Sequence, residues 1–106
     1  MNLKPPKNDA HYAWTSHVFG KMIHYGIGEG RIRRIIRAPK RIEEGVADET
    51  IAAMQPAGIK GQQELWVMYK VDGGKIKVIT TWRYPGKSPA RNPVPKEIMD
   101  EVRTLL

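Results

Sequence analysis

The segment spanning residues 64–83 constrains this chain more than any other. Two arms rich in strand formers, 64–72 and 75–83, flank Gly73-Gly74. A Gly-Gly centre suits a tight two-residue turn, so the segment predicts an antiparallel hairpin. With that turn Val71 pairs with Ile76, Tyr69 with Val78, Val67 with Thr80, and Leu65 with Trp82. This face is almost wholly apolar and is expected to pack on helices. On the other face Lys70 meets Lys77, Met68 meets Ile79, Trp66 meets Thr81, and Glu64 meets Arg83. Opposed lysines repel, so that pair needs open water or a bound anion. A one-residue bulge at the turn would undo this register.

The rest of the chain reads as elements that cover such a sheet. Residues 1–9, with Pro5 and Pro6, form a flexible arm, and 10–106 form a single domain. Residues 11–15 suit a short strand. Ser16 is the N-cap candidate for a helix over 17–25, with Val18, Phe19, Met22 and Ile23 at helical spacing and Gly26 as its stop. Ile32, Ile35 and Ile36 mark the buried stripe of a second helix from 30 to 37, ended by Pro39. Weaker strands are expected over 41–46 and 50–54, with a loop over 55–63. After a Pro/Gly-rich stretch, 96–106 reads as a closing helix with Ile98, Met99, Val102 and Leu105 facing inward. The fold class is α+β, with paired helices and a C-terminal helix packed on a twisted antiparallel sheet.

Charge narrows the partner. The chain carries a formal +7 and has no cysteine, which rules out disulfides, thiolate metal sites and a cysteine nucleophile. Arg31, Arg33, Arg34, Arg37, Lys40 and Arg41 form a basic run with no acidic residue inside it. Arg83, Lys87, Arg91 and Lys96 form a second. Such charge favours an anionic partner through steering and counterion release. There is no bilayer-length apolar run and no signal-peptide layout, which points to the cytoplasm and away from membranes.

Three groups carry candidate chemistry. His17, in the first turn of its helix, has its cation disfavoured by the helix dipole and can act as a base. His24, seven positions on, is about 10 Å away along the helix. With His11, these make a poor zinc set, so neither metal nor cofactor is expected. Arg31, Arg33, Arg34 and Arg37 offer planar forks to phosphate. Thr80 could hold a phosphate oxygen, Arg83 could neutralise a transition state, and Trp66 or Tyr84 could stack on a base, with Lys70 and Lys77 in support. Trp82 reads as core. Gly26-x-Gly28-x-Gly30 lacks the preceding strand and P-loop lysine of a nucleotide fingerprint. Metal-independent RNA cleavage needs only such groups, because the 2′-hydroxyl is the nucleophile.

Ser16-His17, Met22, Gly26-Ile27, Ile32, Ile35-Ile36, Pro39 and Val78-Ile79-Thr80 together resemble a family of small bacterial domains of unknown function. That family is grouped with the RelE and BrnT toxins. Tyr25 departs from its usual arginine, and Val18 from its usual alanine. The resemblance implies a RelE/BrnT-like fold and an RNA-binding, toxin-like protein, many of whose relatives cleave RNA, and it puts its emphasis on His17 and Thr80. With Arg83, from the hairpin, these are the candidate catalytic residues of a metal-independent endoribonuclease. The partners it implies are RNA, an acidic antitoxin protein and a second copy in a homodimer. The alternative from the same residues is a non-catalytic module that holds nucleic acid or an acidic protein.

Overall fold

In the computed structural model, which describes residues 4–90 and 93–105, the glycine pair turns as its sequence demands. Gly73 and Gly74 take φ of 59° and 83°, a left-handed region that other residues enter at a cost. The arms they join are β4 (Gln63–Asp72) and β5 (Lys75–Pro85). Before them come β1 (Tyr12–Trp14), α1 (Ser16–Tyr25), α2 (Glu29–Arg37), β2 (Arg41–Glu44) and β3 (Thr50–Ala57). A short 3-10 turn, Ile59–Gly61, links β3 to β4, and α3 (Lys96–Leu105) closes the chain. Residues 1–3 of the arm, Arg91 of the second basic run, and Leu106 of the expected last helix lie outside the described residues.

The strands form one sheet in the order β1-β5-β4-β3-β2. The four strands β2 to β5 pair antiparallel, as expected. The short β1 runs parallel to β5, so the sheet is mixed. Its direction is set by a long-range pairing with Ile76, Lys77 and Val78, which no local pattern encodes. Strand β3 continues to Ala57 through a stretch expected to be loop, because β4 offers partners that far. Strand β2 stops at Glu44, short of Val46.

The hairpin register holds from the turn to Tyr69↔Val78, including Lys70↔Lys77, and then shifts by one residue at Ile79. Beyond the shift Met68 faces Thr80, Val67 faces Thr81, Trp66 faces Trp82, and Leu65 faces Arg83. The expected pairs Met68–Ile79, Val67–Thr80, Leu65–Trp82, Trp66–Thr81 and Glu64–Arg83 are therefore all replaced. A β-bulge adds one residue to one strand, and with a side-chain period of two it moves everything after it to the other face. Trp82 consequently leaves the face of the helix pair. It stacks flat on Trp66, with centroids 5.8 Å apart and planes 3° apart.

The two faces divide the helices. Val18, Met22, Ile32, Ile35 and Ile36 from α1 and α2 pack on Ala53, Leu65, Val67, Tyr69 and Val78. Ile98 and Val102 of α3 pack on Ala52, Met54, Trp66, Met68, Ile79 and Trp82 on the opposite face. Leu105, expected inside, is exposed, and Met99 is half-buried.

Thr15, not Ser16, caps α1. Its Oγ1 accepts from the Val18 N–H at 3.0 Å and donates to the Ile79 carbonyl at 3.0 Å, while its N–H donates to the Val78 carbonyl at 3.3 Å. One residue thus satisfies the helix start and ties it to the bulged edge of β5. Gly26, at φ 68°, ends the helix as expected. The arm is also tied: the Asp9 carboxylate accepts from the N–H groups of His11 and Tyr12 at 2.8 Å each.

Truncating Thr15 to Ala removes the cap and the edge anchor together, an expected loss of about 1–2 kcal/mol in urea unfolding. Trp82→Ala opens a void under α3 and is expected to cost about 3–5 kcal/mol by the same measurement.

Candidate acid–base cleft between the first and third helices

The N-cap at Thr15 directs the first turn of α1 over the edge of β5, where β1 no longer pairs. His17 therefore reaches the bulge, and its Nε2 lies 3.2 Å from Thr80 Oγ1. From the other face α3 brings Glu101 to the same edge, with Oε2 3.6 Å from His17 Nε2. Lys21, one helical turn after His17, stands 2.8 Å from both Glu101 oxygens and donates its hydrogen bond to Oε1. Oε2 is buried between the Lys21 ammonium at 2.8 Å and His17 Nε2 at 3.6 Å, and it accepts no well-aligned hydrogen bond. These side chains line an open cleft with Ser16, Gly20, His24, Thr104 and Leu105.

A carboxylate only accepts, and it stands at Nε2. This favours the tautomer with its proton on Nε2, shared towards Thr80 and Glu101, and leaves Nδ1 as the basic nitrogen. Burial pushes the His17 pKa below the ordinary histidine value; Glu101 raises it in part, and Lys21 lowers it further. The imidazole is thus held neutral at pH 7. A proton arriving at Nδ1 would create a cation that Glu101 is placed to stabilise. The arrangement is that of a base oriented by a carboxylate, with an ammonium group alongside to meet an anion.

Of the residues singled out from the sequence, His17 and Thr80 meet. Thr80 is fully buried, so it positions the imidazole and cannot hold a phosphate oxygen. Arg83 does not join them. Its Nε and Nη2 donate to the Tyr25 carbonyl at 3.3 and 2.9 Å, and Nη1 donates to Gln63 Oε1 at 2.8 Å. It caps the C-terminus of α1, about 12 Å of helix away from His17. The bulge is the cause, since it turns Arg83 to the helix face and away from Glu64. Glu64 instead accepts from Trp66 Nε1 at 3.0 Å and from the Ser88 N–H at 3.2 Å. Trp66 is wholly buried and offers no face to a base, and Tyr84 is half-buried against the α3 side of the core.

The basic helix is also divided. Arg31 donates to the Pro56 carbonyl at 2.8 Å. Arg33 pairs with Asp9 and Glu29 and lies 4.4 Å over the Tyr12 ring. Arg34 and Arg37 are exposed, and among the described residues their guanidinium groups make no hydrogen bond or ion pair. Lys70 pairs with Glu49 at 3.6 Å, which relieves its contact with Lys77. His11 and His24 do not converge with His17. Among the described residues, no three His, Cys, Asp or Glu side chains cluster closely enough to hold a metal ion.

Lys21 and Glu101 escaped the sequence reading. Lys21 had a signal, four residues after His17 on one helix face. Glu101 had none, because only the packing of α3 on the far face brings it there.

The fold and the cleft define a small α+β domain with a carboxylate–histidine–lysine cluster at one sheet edge. Comparison of the chain with family models, with curated proteins and with solved structures returns no match. No described helix is long and apolar enough to cross a membrane.

Titration of the His17 ring by NMR is expected to give a pKa below 6.5, falling further in Glu101→Gln and rising in Lys21→Met. Unfolded, the same histidine takes its proton near 6.5. Its contribution to stability is therefore full above that pH and lost as pH falls from 6.5 through the folded pKa. His17→Asn should flatten that slope in thermal melts.

Proposed function

We propose that this protein binds RNA and cleaves it without a metal ion, as a toxin-like endoribonuclease acting at the cleft between α1 and α3. One observation carries the reading: His17, its pKa lowered by burial, stands 3.6 Å from a carboxylate oxygen of Glu101 that Lys21 also approaches at 2.8 Å. His17 Nδ1 takes the proton of the ribose 2′-hydroxyl, and the 2′-oxygen attacks the adjacent phosphorus. Lys21 faces the negative charge growing on the phosphate. Water in the open cleft delivers a proton to the departing 5′-oxygen. The products are a 2′,3′-cyclic phosphate and a 5′-hydroxyl. Glu101 and Thr80 are positioning residues: one stabilises the imidazolium and the other fixes the ring.

The net charge of +7 supports a polyanionic substrate, and exposed Arg34 and Arg37 extend the attraction beyond the cleft. The RelE/BrnT-type likeness belongs to the same proposal, supported by a helix pair that leads into a four-strand antiparallel run. A second reading, a non-catalytic module holding nucleic acid or an acidic antitoxin-like protein, is favoured by one observation. Arg34 and Arg37 lie on α2, whereas the cleft is built from α1 and α3.

Wild type, His17→Ala, Glu101→Gln and an Arg34→Ala/Arg37→Ala double variant are incubated with RNA in EDTA. Cleavage with cyclic ends, lost in His17→Ala and reduced roughly 100-fold or more in Glu101→Gln, is the expected result. The arginine pair should weaken binding and its salt dependence while leaving the maximal rate. Intact RNA with folded protein, together with binding that only the arginine pair weakens, would establish the second reading instead.

A further inference from the structure

The far edge of the sheet carries an ordered set of charges, of which Arg41 and Glu43 are 3.7 Å apart within the monomer while Lys40 and Glu44 form no ion pair among the described residues. Among the described residues strand β2 pairs with β3 alone, and no strand pairs with its other side. Its sequence with the preceding residue is Lys40-Arg41-Ile42-Glu43-Glu44: two cations, an isoleucine and two anions. The Gly45 N–H donates to the Thr50 carbonyl at 2.9 Å, which places residues 45, 43 and 41 in the inward-bonding phase of the ladder. The N–H and C=O groups of Ile42 and Glu44 therefore point outward. The Ile42 side chain is 58% exposed, a large apolar group on an open strand edge.

We propose that β2 is a dimerisation edge, and that its occupant is β2 of a second copy of this chain, paired antiparallel about a two-fold axis through Ile42. In that register Ile42 faces Ile42 of the second copy, and the two residues exchange a pair of backbone hydrogen bonds. Arg41 faces Glu43 of the second copy. Lys40 stands just before the strand with its N–H turned inward to the Met54 carbonyl at 2.7 Å, so it meets Glu44 of the second copy through its long exposed side chain alone. Symmetry doubles both, giving four opposite-charge cross-strand pairs around one apolar contact. Neighbouring registers lose this. An axis at Glu43 opposes two glutamates, and an axis at Arg41 opposes two arginines. Only one alignment matches the outward phase, the apolar contact and every charge.

Arg41 is prepared for the role. It donates to Ser88 Oγ at 2.8 Å and to the Pro89 carbonyl, and it lies 5.1 Å over the Trp66 ring. Its own Glu43 is 3.7 Å away. In the dimer each Glu43 lies between two arginines held in place. Edge strands left open are aggregation hazards, and closed two-fold pairing removes this one. The cleft of His17 lies beside β5, near the opposite edge of the sheet, so the proposal stands independently of the ribonuclease reading.

Sedimentation equilibrium of the full chain, from low micromolar to millimolar, tests it. A reversible dimer that weakens with salt is expected. Ile42→Lys should abolish it. Glu44→Lys should weaken it roughly tenfold, since two attractive pairs become repulsive. Adding Lys40→Glu to Glu44→Lys recreates the complementarity and should restore the wild-type constant; circular dichroism confirms that each variant is folded. A monomer at every concentration, species larger than a dimer, a dimer indifferent to Ile42→Lys, or a failed rescue would each overturn the proposal.

Discussion

One extra residue in β5, at Ile79, decides most of what lies on either side of this sheet. Up to Val78 the hairpin follows the register of its glycine turn; after the bulge every side chain changes face. Trp82 is thereby delivered to Trp66, where two indoles share one plane of contact under α3. Arg83 goes the other way and closes the C-terminus of α1 through the Tyr25 carbonyl. The carbonyl of Ile79 itself receives the Thr15 hydroxyl and so fixes where α1 begins. Both ends of α1 thus answer to β5, one to the bulge and one to the residue it reoriented.

That double anchorage explains why a cleft forms where it does. The short β1 covers β5 only at Ile76, Lys77 and Val78, and the freed edge beyond it is bridged by side chains from helices on opposite faces. His17 and Lys21 come from one face and Glu101 from the other. Their meeting costs a partial burial of charge, which lowers the basicity of His17. A structural ion pair alone would be satisfied by Lys21 and Glu101. The imidazole held neutral beside them is the element that pairing does not require, and it is the reason the cleft reads as a site.

The two sheet edges follow opposite logic. At the β5 side an edge is covered by helices and made into a polar recess. At the β2 side an edge is paired on one side only, short and charged, and in the proposed dimer its ordered charges meet those of a second copy. Short, charged edges ordinarily prevent association. The antisymmetric order of Lys40, Arg41, Glu43 and Glu44 distinguishes this edge from one that merely repels.

Much of the architecture was legible in the chain itself. The Gly73-Gly74 turn, the apolar stripes of α1 and α2, and the stops at Gly26 and Pro39 are local devices. Their causes, backbone freedom and hydrophobic periodicity, act within a few residues, so pattern alone placed them. His17 was legible for the same reason, as a titratable group in the first turn of a helix. What tertiary structure alone decided are the long-range meetings: the parallel pairing of β1, the shift at Ile79, the separation of Arg83 from His17, and the arrival of Glu101. A bulge has no reliable local signature, because both registers bury apolar residues on β4 and β5. The choice was made by packing that the strand sequence does not contain. Stacked indoles under α3, together with a helix start in need of an acceptor, are satisfied by only one of the two registers.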